Sequence, residues 1–283
     1  MDRIFNFSDY AELLPLVQNS LIAAIALGFL GGLFGTFVMM RDLPFAVHGI
    51  SELSFAGASA ALLFGINVVA GSVIGSLLAA GILGFLGSRA RDRNSIIGVL
   101  MPFGLGLGVL CLSLYQGRSA NKFGLLLGQI VAVDDTQLAA LLVGSAIAIV
   151  ALLIMWRPLL FASVDPEVAQ ARGVPVRALS LAFMLALGIA VALSIQVVGA
   201  LLVLSLLVTP AAAAFRVTAS PVWAPVLATV FALIAMVGGI LLATGASIPI
   251  SPYVTTLSFL IYLICWAVGR ARSARGWTAR RPA

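Results

Sequence analysis

Charge is what this chain has least of. Its 283 residues include 16 Lys and Arg and 10 Asp and Glu, 9% in all, against 62% hydrophobic residues. A water-soluble domain of this length needs far more polar surface, which excludes a soluble globular protein. Histidine is nearly absent too, with His48 the single copy. One histidine is a poor start for a Ser/His/Asp or Cys/His catalytic arrangement. No Gly-x-x-x-x-Gly-Lys-Ser/Thr occurs, so the chain has no P-loop with which to bind ATP. It does not read as an enzyme by itself. The two cysteines, Cys111 and Cys265, each stand alone in an apolar stretch and read as small buried core residues. The start, Met1-Asp-Arg-Ile-Phe-Asn, lacks a basic signal-peptide region, so no cleaved leader is expected.

What is abundant is long apolar sequence, with a mean hydropathy of +1.16. Several runs exceed eighteen residues with few or no charges, the length needed to cross a bilayer as helix. The fold class is therefore all-α, a polytopic membrane protein of about 8–9 transmembrane helices. Reading runs against breakers gives nine candidate spans, near 17–40, 45–64, 68–88, 95–115, 137–156, 177–194, 197–215, 222–243 and 252–268. The sixth and seventh meet at a tight turn near Ser194-Ile195-Gln196. With the C-terminus in the cytoplasm and strict alternation, thirteen arginines fall inside and only Arg3, Arg118 and Lys122 outside, as the positive-inside rule requires. The net charge of +6 is thus a topology signal rather than a nucleic-acid footprint. The reading is one transmembrane domain over 1–283, N-terminus out and C-terminus in, with a cytoplasmic loop at 157–176 and a basic cytoplasmic tail at 269–283.

Three local patterns stand out. His48 and Glu52, four apart, share one helix face one turn apart. Ionisable groups inside a span are expensive, which makes a binding or pathway role the first hypothesis. Imidazole and carboxylate are first-row metal ligands, suited to zinc, manganese or iron. Ser51 and Ser54 can line the same path, and a His–Glu contact that only fixes packing is the competing reading. In the cytoplasmic loop, Asp165 suits an N-cap, Pro166 the first helical position, Glu167 the positive end of the dipole, Arg172 the negative end, and Gly173 a left-handed stop before Pro175. That spells about two turns of helix in water. The third pattern is the glycine pairs Gly28/Gly32, Gly31/Gly35 and Gly71/Gly75, which let helix backbones approach closely within the chain. Between the fourth and fifth spans, Phe123 to Val133 is too short to cross and reads as an interfacial or re-entrant helix, and Asp134-Asp135-Thr136 can cap the next span. Thr209-Pro210 predicts a kink inside the seventh span.

Val164-Asp-Pro-Glu-Val-Ala-Gln-Ala-Arg-Gly-Val-Pro175, Gln196 to Ala214 and Phe123 to Val133 together resemble the membrane permease subunits of the zinc/manganese (metal-ion) ABC importers. The resemblance covers about Leu21 to Trp266. It implies a type II-like importer permease in the bacterial inner (plasma) membrane, pairing as a homodimer. Its partners would be a cytoplasmic ATP-binding subunit and an extracytoplasmic metal-binding protein. The 165–173 helix, with Asp165, Pro166, Glu167, Arg172 and Gly173, would then couple to the ATPase. No stably bound cofactor is implied, only a transported divalent ion (Zn, Mn or Fe). Many family members carry Gly-Asp-x-x-x-His-x-x-x-x-Gly in the second span. Aligned on Gly57, this chain has His48 at the acid's place and Glu52 at the histidine's, so the ligand types are kept in reversed order. A stand-alone ion-coupled carrier is the alternative function, and a permease-like anchor without flux is a third.

Overall fold

The structure is a computed structural model and describes residues 17–86, 90–117, 124–125, 133–200, 202–244 and 250–278. Its elements are α1 Gln18–Met40, α2 Pro44–Phe64, α3 Val68–Leu86, α4 Ala90–Leu114, α5 Asp135–Val164, α6 Pro166–Ala171, α7 Val176–Val198, α8 Val203–Leu207, α9 Thr209–Val217, α10 Trp223–Thr244 and α11 Ile250–Thr278. No strand occurs among the described residues. Among the described residues eight helices, α1 to α5, α7, α10 and α11, are long and apolar enough to cross a membrane. Most of the expected re-entrant segment lies outside the described residues, as do 279–283. Asp134, at its edge, caps α5 as expected, its carboxylate accepting from the Gln137 N–H at 2.6 Å.

Three expectations are corrected. The fifth helix does not stop at 156 but runs through Pro158 to Val164, so residues 165–175 with the short helix Pro166–Ala171 join it to α7. Proline removes one backbone hydrogen bond, which a packed membrane helix tolerates. The turn expected at 194–196 lies instead at Gly199, whose φ of 78° is open to glycine. The polar pair that suggested the earlier turn does not break the helix. Ser194 satisfies its hydroxyl on the Ala190 carbonyl of its own helix, 2.8 Å away.

The apolar run expected as the seventh span is two short helices, α8 and α9, that meet at Val208 with Pro210 in the first turn of α9. Their 203–217 stretch is about 22 Å of helix at 1.5 Å per residue, less than a full crossing. It still returns the chain to the end of the bundle at which α7 began. It runs beside α1 in the same direction, with Gly31 against Leu206, Gly35 against Leu207 and Ala211, and Met39 packed on the Ala211–Ala214 cluster. α10 then runs back along α1, Gly32 meeting Thr229 and Gly28 meeting Leu233. At the same end Arg216 donates to the Tyr262 hydroxyl and Arg272 to the Val217 carbonyl. The arginine-bearing ends of α1, α9 and α11 therefore gather at one end of the bundle.

α1, α2 and α7 form the buried centre, while α4, α5 and α11 present large apolar side chains such as Phe103, Ile154 and Ile264 outward. Lipid tails are as apolar as these side chains, so close packing rather than water exclusion holds such helices together. An aromatic cluster joins α1, α5 and α7: Phe37 meets Trp156 edge-on at 4.8 Å, and Phe183 lies 6.1 Å from Phe34 and 6.0 Å from Phe37. Cys111 and Cys265 are free and buried, as expected.

Candidate functional site

α2 starts abruptly because Leu43 caps it with its carbonyl, bonded by the Val47 N–H, and Pro44 pre-sets the first helical φ. It ends on Gly65 at φ 69°, with the Ile66 N–H returning to the Ala61 carbonyl. Asn67 then caps α3 by accepting from the Ala70 N–H. Between these stops α2 is gripped from two sides. Against α3, a Cβ at Gly57 would overlap the Gly71 carbonyl oxygen, and one at Gly75 would overlap that of Leu53. Against α4, a Cβ at Gly104 would stand 2.9 Å from the Glu52 carbonyl carbon, and one at Gly108 would enter the Phe55 ring. Bare backbone on both sides fixes the turn that carries Glu52. The Gly71/Gly75 pair was legible as a packing signal, whereas Gly104/Gly108, at the same spacing, was missed.

On this turn His48 Nε2 lies 3.8 Å from Glu52 Oε1. That is within ion-pair reach and too long for a hydrogen bond. The His48 side chain is 31% exposed and that of Glu52 only 9%. The other two heteroatoms, His48 Nδ1 and Glu52 Oε2, are buried and have no hydrogen-bond partner. Leaving a buried polar atom unpaired costs about 1–3 kcal/mol. Among the described residues no group of three or more His, Cys, Asp or Glu side chains comes together. At this turn the chain thus brings together two side chains of these types, His48 and Glu52.

The serines have separate partners. Ser51 donates to the Ala200 carbonyl at 3.3 Å, tying α2 to the turn after α7. Ser54, two residues past Glu52, is about 200° round the helix from it and bonds the Ser72 hydroxyl and carbonyl of α3. Ser72 in turn reaches the Ala192 carbonyl of α7. Gln196, placed from the sequence at the turn between the sixth and seventh spans, sits inside the last turn of α7 with its Nε2 buried and unpartnered.

The Asp165–Gly173 pattern forms the short helix expected of it. Asp165 Oδ1 accepts from the Val168 N–H at 3.0 Å, Pro166 occupies the first turn, and Glu167 follows. The helix ends in a Schellman motif: the Gly173 N–H bonds the Gln170 carbonyl, the Val174 N–H bonds that of Ala169, and Gly173 has φ 86°. Ala169 alone is buried, leaving Glu167, Val168 and Arg172 exposed at the arginine-bearing end.

Residues 14–269 match the ABC 3 transport family, and the chain belongs to it. It is 29% identical over 255 residues to the manganese transport system membrane protein MntC of Halalkalibacterium halodurans, covering 88% of this chain and 87% of that protein. It is 25% identical over 246 residues to the high-affinity zinc uptake system membrane protein ZnuB of Haemophilus influenzae, covering 87% and 94%. Among solved structures, a chain of PsaBC from Streptococcus pneumoniae in complex with Fab superposes with a TM-score of 0.81 at 26% identity, covering 90% of this chain and 95% of that one.

Proposed function

We propose that this member of the ABC 3 transport family is the membrane-spanning permease subunit of an ATP-driven importer for divalent metal ions in a bacterial plasma membrane. The chain is not itself an enzyme. A separate cytoplasmic ATPase subunit hydrolyses ATP, and an extracytoplasmic binding protein delivers the ion. Two permease copies flank the path. The arginine-bearing end faces the cytoplasm, which puts the C-terminus inside and leaves the N-terminus outside.

The observation that carries the reading is the pair of buried, unpartnered ligand atoms, His48 Nδ1 and Glu52 Oε2, on adjoining turns of one span. Each can accept an ion as it leaves its water shell. Two ligands per copy make a weak site, as transport needs, because an ion must leave as readily as it enters. Nitrogen and oxygen donors together suit manganese, zinc or ferrous iron. Ser51 extends the polar lining of the path on one side of Glu52 and Ser54 the polar seam toward α3. The exposed Asp165–Gly173 helix docks on the ATPase, with Glu167 and Arg172 offered to it.

The test is uptake of manganese or zinc by proteoliposomes holding permease, ATPase and binding protein. His48→Ala with Glu52→Ala is expected to lower uptake at least a hundredfold while the complex still assembles. Uptake unchanged in that variant sinks the site, and ATP-independent uptake by the permease alone sinks the importer reading.

A further inference from the structure

Arg41 closes α1, three residues before α2 begins, and as a span-end arginine it first reads as a topology anchor. Its side chain does more than sit at the interface. Nη1 donates to the Ser163 hydroxyl at 3.2 Å and Nη2 to the Ser180 hydroxyl at 2.5 Å. The guanidinium also stands 5.8 Å from the centre of the Phe183 ring, part of the aromatic cluster that joins α1, α5 and α7.

The positions of the two serines give these contacts meaning. Ser163 is two residues before Asp165, the cap of the short cytoplasmic helix α6, and Ser180 is five residues after Pro175, where α7 is capped. One planar fork thus holds both flanks of α6. Its own backbone holds the start of α2: the Arg41 N–H bonds Phe37, the Leu43 N–H bonds the Val38 carbonyl, and Asp42 sits at φ 53° between them. Three residues in a closed turn leave little slack between α1 and Pro44, and His48 follows one turn later.

We infer that Arg41 is a positioning residue that couples movement of α6 to the span bearing His48 and Glu52. The inference rests on the importer reading above, in which α6 docks on the ATPase. A displacement of α6 moves Ser163 and Ser180 together. The guanidinium passes it through the α1–α2 turn rather than through the lipid-facing sides of α5. Arginine suits the task because its rigid, planar fork addresses two acceptors at fixed spacing, which a lysine ammonium does not.

The experiment measures ATP hydrolysis and metal uptake together in the reconstituted complex of permease, ATPase and binding protein. Arg41→Ala is expected to keep ATP hydrolysis within about twofold, with ions moved per ATP falling at least fivefold. Arg41→Lys should recover part of that ratio, because its single ammonium nitrogen keeps the charge and can replace one of the two donor nitrogens. Ser163→Ala with Ser180→Ala leaves the arginine in place and removes both acceptors. It should lower the same ratio at least twofold, and it decides the matter where Arg41→Ala does not assemble. An unchanged ratio in the double serine variant overturns the inference. Failure of the importer reading looks different: the unmodified complex would take up metal without ATP, whatever stands at position 41.

Discussion

In α6 and its caps, the Val168, Ala169, Arg172, Gly173 and Val174 amides all find acceptors within five residues. At the His48–Glu52 turn of α2, two side-chain atoms are buried with no partner at all. The first region is complete by itself and stands exposed; the second is incomplete and lies among packed helices. A protein that leaves polar atoms unpaired in its interior gives up stability there, and such places are where function is expected to lie.

The largest way to break the comparison is to make the second region complete. Glu52→Met keeps the length of the side chain and removes the orphaned oxygen. It is expected to raise stability by about 1–3 kcal/mol, the desolvation penalty of an unpaired buried group. Metal uptake by the reconstituted complex should fall at least a hundredfold in the same variant. Unfolding in detergent micelles reads the first effect. A loss of stability would mean that Glu52 has compensating contacts and that its role is packing.

The next effect tests what holds that turn in place. Gly57 faces the Gly71 carbonyl oxygen, whereas Gly81, on α3, has nothing within 4 Å of where a Cβ would stand. Gly57→Ala forces two backbones apart and is expected to destabilise by about 2 kcal/mol, within the range for overpacked sites. Gly81→Ala only improves helix propensity and should stabilise by up to about 1 kcal/mol. Equal effects at the two positions would show that α2 and α3 are not in backbone contact.

What could be read from the sequence follows the same division. The caps Asp165, Gly173 and Asp134 were legible because each partner lies within four residues, where residue type alone sets the geometry. The His48–Glu52 face was legible from helical periodicity. Ser51 with Ala200, and Arg41 with Ser163 and Ser180, join residues 122 to 149 positions apart, which only the folded bundle brings together. The 197–215 run was read as one span because hydropathy registers insertion and not helix continuity. Gly199 at positive φ and Pro210 divide it into shorter pieces.

The smallest effect lies in the region that is already complete. Asp165→Ala removes the side-chain acceptor of the Val168 N–H, and losing an N-cap of this type destabilises a helix by about 1 kcal/mol. Because α6 is short, exposed and anchored mainly through Ala169, that loss should appear as local opening rather than global unfolding. Hydrogen exchange at the Val168 amide is then expected to quicken roughly fivefold, the factor that 1 kcal/mol represents. Exchange in the middle of α2 should not change, since no hydrogen bond of the Glu52 turn passes through Asp165. Acceleration in both helices would make α6 and α2 one cooperative unit, with the contrast between them lost. Acceleration confined to α6 keeps them apart in stability, leaving the chain of contacts through Arg41 as the route by which one can move the other.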